Sequence, residues 1–427
     1  MQQAITIPSR LKLDNAANIY PASMSKSYSS LYRIRLSMSE DIEAGIMQKA
    51  LERVSERIPT FRCTLKAGGF WWYLDRVESK PVLRPLKPLK QFNFKEQDGL
   101  LYRVSAEGSE LYLDVFHALA DGNGALCFIM TLAGEYIRLR HGVSIDYNSL
   151  VWNPSEKPIY SEVEDSFGTY FGGRHGQLEK NADAYHIRGA AMPCGKVDDL
   201  RVVMPQDRIK QVCKEFDCTV TELLTAVMLY ALQAEHNNDP SAKKRSVLKV
   251  SVPVNLRPIY GSRTVRNFSS YVNLGIDVKD GYMDFPAIVR AVKAQKAHDT
   301  EKSALEPKIA ANVELEEMLI VKCLPLFVKH PIIDYINLHH GDRFVSQTLS
   351  NIGNIKVPGQ MIPYITDVDF MLGKQRGNSG AVSCLGYNGK IYLHMTRKIS
   401  RDGFERAFLQ QIWQLGIPFE TSLDSLA

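Results

Sequence analysis

Apolar and polar positions alternate with a period of two in residues 31–36, where Leu31, Arg33 and Arg35 oppose Tyr32, Ile34 and Leu36, and this predicts a strand over 29–38. The period then changes. From Ser39 a helix is expected, with Glu40 and Asp41 in its first turn, Ile42, Ile46, Ala50, Leu51 and Val54 on one face, and a stop before Pro59. The stretch TFRCTLKAGGFWWYL reads as two strands about a Gly68-Gly69 turn. Alternation returns over 110–117, ELYLDVFH, and gives way from Asn123 to a helical repeat of Leu126, Ile129, Leu132, Ala133, Tyr136 and Ile137 that ends at His141-Gly142.

Residues 143–200 are weakly periodic and rich in Gly, Asn, Ser and Pro, which predicts a crossover between two halves. The halves are placed at 1–165 and 201–427, with a linker over 166–200. The second half restarts with the strand DLRVVMP, a helix near 206–216, and a helix from Thr221 to His236 capped by Thr219. The strand VLKVSVPVNLR, the segment NFSSYVNLGIDV, a long helix over about 285–303 and a final set of strands follow. At 427 residues the chain exceeds what one core usually serves, so two packed α/β domains are expected. The most apolar long region, 318–338, is broken by Lys322, Lys329, Asp334 and two prolines, so it is no membrane span. It reads as buried helix and loop, or as the wall or lid of an apolar acceptor pocket.

Composition narrows the class. With 52 Lys+Arg against 47 Asp+Glu and no long basic run, nucleic acid is not an expected partner. Arg33/Arg35, Lys243/Lys244/Arg245 and Lys374/Arg376 are candidate rims for a phosphorylated ligand, or simply solvated surface charge. The 7 cysteines are odd in number and form no C-x-x-C pair, which argues against a disulfide framework and a zinc ribbon. The amino terminus has no continuous apolar signal core. A reducing, cytoplasmic location follows as the expectation.

The stretch FHALADGNG, 116–124, places His117, Asp121 and Gly122 at a strand-to-helix turn. Such a turn serves catalysis, nucleotide binding or nothing beyond a polar corner. GNGALC begins like a dinucleotide fingerprint but has Cys127 where the third glycine belongs, and no acidic residue ends a second strand at the required distance. The chain has no G-x-S-x-G, H-E-x-x-H, Walker loop or calcium loop. His339, His340 and Asp342 are read as loop surface, not metal ligands, because adjacent histidines in a strand point to opposite faces. No metal site is expected.

HALADG resembles the H-x-x-x-D-G motif of the chloramphenicol-acetyltransferase-like superfamily, which includes acyl-CoA-dependent alcohol acyltransferases and peptide-synthetase condensation domains. Further segments are similar in the same order: IMQKALERVSERIPTFRCTL, TVTELLTAVMLYAL, VPVNLRP, NFSSYVN and LSNIGNIKVP. The resemblance implies an α/β fold of two similarly folded domains, each a mixed sheet with helices. An active-site channel would run along their interface, and part of 343–395 would pack back on the N-terminal half. It implies acyl-CoA as donor, a small alcohol or amine as acceptor, and His117 as general base. It also implies an Asp121–Arg257 pair with a structural role, Gly122 permitting the close turn, and Ser350 and Asn351, with Asn273 behind them, as oxyanion or channel candidates. Two departures matter. Phe116 stands where condensation domains carry a second histidine, which favours acyl-CoA over a carrier protein as donor. DVDFMLG, 367–373, departs from the D-F-G-W-G of plant members, though it is expected in the same structural place.

Overall fold

Helices Gly122–His141 and Val220–Asn237 are buried along most of their length, so each is apolar on nearly every side. Local chemistry sets their ends. Asp121 accepts from the Gly124 amide at the start of the first helix, and Gly142, left-handed at φ 67°, ends it. Thr219 and Glu222 form a reciprocal capping box at the start of the second. The structure, a computed structural model, describes residues 8–24, 30–89, 93–177, 182–192, 198–240, 242, 245–340, 342–374 and 377–425.

The described strands form three sheets. A three-stranded antiparallel sheet has the order Arg10–Lys12, Trp72–Arg76, Cys63–Ala67. A four-stranded antiparallel sheet has the order Ile365–Leu372, Leu31–Met38, Glu110–Phe116, Tyr102–Glu107. The seven-stranded mixed sheet runs Glu420–Ser425, Asp198–Pro205, Lys390–Arg397, Gly380–Tyr387, Gln347–Asn354, Val247–Asn255, Ser269–Asp277, with Gln347–Asn354 parallel to both neighbours. The fold is thus mixed α/β. Its buried apolar residues gather in two clusters, one including Ile34, Leu113, Phe128 and Ile137, the other Leu224, Val250, Val292 and Phe408. Strand Ile365–Leu372 comes from far along the chain to pair with Leu31–Met38, its Asp369 opposite Arg35. The flanking strands Gln347–Asn354 and Gly380–Tyr387 stay in the seven-stranded sheet.

A buried ionic cluster ties these two sheets together. His394 is fully buried and bridges two carboxylates, with Nδ1 2.7 Å from Asp199 and Nε2 2.8 Å from Asp369. Arg35 and Arg201 also donate to Asp369, at 3.0 and 2.8 Å from their Nε atoms. Tyr392 donates to the neighbouring Asp367 at 2.8 Å. Burial works against a charge on His394, but the two carboxylates outweigh it and raise the imidazolium to about 9.

Several elements differ from the sequence expectation. The first long helix spans Ala44–Arg57 and does not begin at Ser39. Glu40 pairs instead with Arg140 and His141, and the Ile42 amide donates to the Gly108 carbonyl, so this stretch is a docked loop. Arg33 and Arg35 form no phosphate rim and are not free surface charge. Arg33 is buried against Asp114, which Arg103 also contacts, and Arg35 is committed to Asp369. Lys243, Lys244 and Arg376 lie outside the described residues. The apolar 318–338 region forms helices Leu319–Cys323 and Leu326–His340, yet Leu319, Ile320 and Phe327 are 75%, 76% and 80% exposed. The region is held from one side. Leu326 donates to the Gly69 carbonyl, Lys329 to the Phe70 carbonyl, and the Trp72 indole to His330. His339 and His340 close a helix rather than lying in a loop.

Because the folded His394 pKa is raised above its unfolded value of about 6.5, its stabilising contribution is fully present below that value and is lost as pH rises through about 9. Thermal unfolding followed from pH 6 to 10 is expected to show this loss in the wild type and a flatter profile in His394→Phe. The variant should lose about 3–5 kcal/mol near pH 6 by leaving the buried Asp199 without His394, while Asp369 keeps Arg35 and Arg201.

Candidate active site

Strand Glu110–Phe116 ends one residue before His117, whose backbone amide donates to the Ser30 carbonyl at 3.0 Å. The turn beyond is pinned from below. Tyr32 lies fully buried on the adjacent strand, and its hydroxyl donates towards the Ala120 and Asp121 carbonyls at 2.9 and 3.0 Å. The half-buried His117 ring is stacked with Tyr20, centroids 4.2 Å apart at 19°, and meets the edge of Tyr32 at 5.1 Å. Its Nδ1 lies 3.2 Å from Asn267 Oδ1 and its Nε2 3.3 Å from the Tyr20 hydroxyl. In a stacked pair the hydroxyl approaches Nε2 from the ring face, off the in-plane lone-pair direction, so that contact is weak.

Burial lowers the His117 pKa below the ordinary imidazole value, only partly offset by its own backbone carbonyl, the Asp121 charge and Asn267. The ring is therefore neutral at neutral pH and able to accept a proton. Asn267 is buried, and its Nδ2 donates to Asp14 Oδ2 at 3.4 Å. Burial raises the Asp14 carboxyl to about 7, with Arg266 opposing.

The structure brings Asp121 and Arg257 together as a bidentate pair, both N–O distances 2.9 Å. The same carboxylate accepts from the Gly124 amide at 3.0 Å and the Phe268 amide at 3.1 Å. Burial alone would raise Asp121, but Arg257 outweighs it and holds the carboxyl below its ordinary range. Arg257 also donates to the Thr264 and Arg266 carbonyls. Asp121 makes no hydrogen bond to His117 among the described contacts.

The glycine requirement falls chiefly on Gly124. A Cβ there would lie 1.9 Å from the Val265 carbonyl oxygen, whereas one on Gly122 would meet the flexible end of Ile352 at 3.2 Å. Of the oxyanion candidates, Asn351 is committed elsewhere: its Nδ2 donates to Thr221 at 3.0 Å and its Oδ1 accepts from the Gly353 amide at 2.8 Å. Ser350 is half-buried on the same strand, opposite Ser383. Asn273 leaves a buried Oδ1 without a partner, while its Nδ2 group is the part that could donate to an oxyanion. None of the three is hydrogen-bonded to His117 among the described contacts. Tyr20, Asn267 and Asp14 surround or support the ring and were not legible as site residues. Asn267 lies in the NFSSYVN segment, but no local pattern points to Asp14 or Tyr20. Among the described residues, no group of three or more His, Cys, Asp or Glu side chains could hold a metal ion, and no helix is long and apolar enough to cross a membrane.

No family model matches the chain, and no curated protein matches its sequence. Solved structures do match its fold. Polyketide synthase associated protein 5 from Mycobacterium tuberculosis superposes with a TM-score of 0.63 at 13% identity, covering 94% of this chain and 96% of that one. TRI101 of F. graminearum, complexed with coenzyme A and T-2 mycotoxin, gives 0.64 at 10% identity over 98% and 100% of the two chains. The starter condensation domain of rhizomide synthetase RzmA, in complex with C8-CoA and Leu-SNAC, gives 0.61 at 12% identity over 95% and 94%. Over nearly its whole length the chain therefore shares the fold of these three structures.

Arg257→Ala leaves a buried carboxylate without its cation and should cost about 3–5 kcal/mol in urea unfolding. Arg257→Lys, which keeps the charge but loses the fork, should fall between it and wild type.

Proposed function

We propose that the protein is an acyl-CoA-dependent O-acyltransferase, similar to alcohol acetyltransferases, with its active-site channel between two similarly folded halves. The observation that carries this reading is the neutral, half-buried His117 ring, anchored through Nδ1 and backed by a turn that the Asp121–Arg257 pair holds rigid. The fold supports it, since TRI101 of the same fold was crystallised with coenzyme A and T-2 mycotoxin, and the RzmA domain with C8-CoA and Leu-SNAC.

In the reaction, His117 Nε2 takes the proton of the acceptor hydroxyl as its oxygen attacks the thioester carbonyl carbon. The C–S bond of the tetrahedral intermediate then breaks, and the imidazolium returns the proton to the departing thiolate. The products are an ester and free CoA, formed in one ternary complex without a covalent enzyme intermediate. The Tyr20 phenol lies beside Nε2, where the acceptor hydroxyl must come, so the acceptor displaces that weak contact. Ser350 remains the candidate donor to the oxyanion. Phe116, in place of a second histidine, favours a free CoA thioester over a carrier-bound one.

Thiol release from acetyl-CoA and longer acyl-CoAs, measured against a panel of alcohols and amines, tests the reading. Wild type should turn over, and His117→Ala should lose roughly 10²–10⁴-fold with its fold intact. Silence in both with CoA donors but turnover with carrier-bound thioesters would replace this reading with condensation-type amide formation. Silence with every donor would leave a catalytically silent scaffold or ligand-binding module.

Two further outcomes are expected. Because burial lowers the His117 pKa, kcat/KM should hold as pH falls to about 6.5 and decline only below it. Tyr20→Phe, which keeps the stacked ring, should stay within about threefold of wild type, while Tyr20→Ala should lose more through a mobile imidazole.

A further inference from the structure

We propose that Asp14 and Asn267 are positioning residues that hold His117 as the Nδ1–H tautomer and so place its basic lone pair on Nε2. The inference rests on reading His117 as the base, but its core is a statement about one hydrogen atom that can be observed without any reaction.

The argument starts from Asp14, which follows strand Arg10–Lys12 and is fully buried. The nearby Asp165 charge helps burial to raise its carboxyl, but its described hydrogen-bond and ion-pair partners are all donors, and above about pH 7 the group is a carboxylate. The Ala17 amide donates to Oδ1 at 2.9 Å, Asn267 Nδ2 lies 3.4 Å from Oδ2, and Arg266 Nη2 lies 3.5 Å from Oδ2. A carboxylate in that setting only accepts. Asn267 must therefore turn its NH₂ group towards Asp14, which leaves its carbonyl oxygen facing His117 Nδ1 at 3.2 Å. That oxygen has no hydrogen to give, so Nδ1 must carry one. A neutral imidazole has a single ring hydrogen, and Nε2 is left with the lone pair.

Burial makes the constraint effective. Asn267 and Arg266 are each 2% exposed, so water does not compete for these contacts. Arg266 is itself anchored, donating to the Lys12 carbonyl at 2.6 Å, and so ties the Asp14 loop to the segment that carries Asn267. When Nε2 takes a proton, the resulting imidazolium donates its Nδ1–H to an amide oxygen polarised from behind by Asp14. The chain thus both selects the tautomer and supports the charge that develops during transfer. Asp121, the acidic residue of the motif, does neither through a hydrogen bond.

The test is the long-range ¹H–¹⁵N spectrum of ¹⁵N-histidine-labelled protein at pH 8, above the value to which burial raises Asp14, with His117 assigned by comparison with His117→Ala. Wild type should show the Nδ1–H pattern. Asn267→Ala should shift the ring towards the Nε2–H pattern, with His117's own carbonyl still an acceptor at Nδ1, whereas Asp14→Asn, which keeps an acceptor for the Asn267 amide, should retain the Nδ1–H pattern. In acyl transfer, Asn267→Ala should lower kcat roughly 10²-fold with the thioester KM within about threefold. Asn267→Asp, still an acceptor at Nδ1 but sharing a proton with Asp14 where the amide donated, should recover to within about tenfold of wild type and move the acid limb of the pH profile upward. An Nε2–H pattern in wild type would overturn the proposal, as would an unchanged tautomer and kcat in Asn267→Ala. The Nδ1–H pattern in wild type, shifted towards Nε2–H in Asn267→Ala, with no turnover of any thioester would uphold the positioning while removing the transferase reading.

Discussion

Asp121 spends its acceptor capacity on four donors at once: two guanidinium nitrogens of Arg257, the amide of Gly124 and the amide of Phe268. That one carboxylate caps the helix behind the site and fixes the backbone from Thr264 to Phe268, which Arg257 grips through the Thr264 and Arg266 carbonyls. Asn267 lies inside this gripped segment, and its position against His117 follows from it. The candidate site is therefore assembled from pieces about 150 residues apart by an ion pair that is not hydrogen-bonded to the His117 ring among the described contacts.

The same device recurs through the interior. Arg57 meets Glu162 in a buried bidentate pair at 2.6 and 2.8 Å, Arg33 meets Asp114, and His394 with Arg35 and Arg201 surrounds Asp369. Each takes charge out of water at a desolvation cost that the partner offsets only in good geometry. Their gain is in specificity of arrangement. Strand Ile365–Leu372 could satisfy its backbone at other registers, but only one sets Asp369 opposite Arg35 and against His394. This strand, with Phe370 edge-on to Tyr32 at 5.8 Å, lies directly behind the turn that carries His117.

Around the imidazole, aromatic and buried polar groups act in different ways. Tyr20 and Tyr32 pack against the ring, whose burial lowers its pKa, while Asn267 supplies one directional contact. The proposed base needs no strongly perturbed pKa, because the ordinary value of an imidazole already lies near neutrality. What the protein adds is orientation.

Much of this was legible in order along the chain. Periods of two and 3.6 located the main strands and helices, because a side chain's burial there depends on its own neighbours in sequence. The caps at Asp121, Thr219 and Gly142 were readable for the same reason, as was the turn that sets His117 between strand and helix. The misread elements share another cause. Arg33 and Arg35 look like surface charge until Asp114 and Asp369 are brought beside them, and Glu40 looks like a helix start until Arg140 and His141 claim it. Asn351 looked free until Thr221 took its amide. Thus the sequence by itself determined most of the elements, their order and the turn on which the candidate His117 lies. Only the tertiary structure decided what Asp14, Tyr20 and Asn267 touch, because a long-range contact between polar groups leaves no periodic trace in the segments that make it.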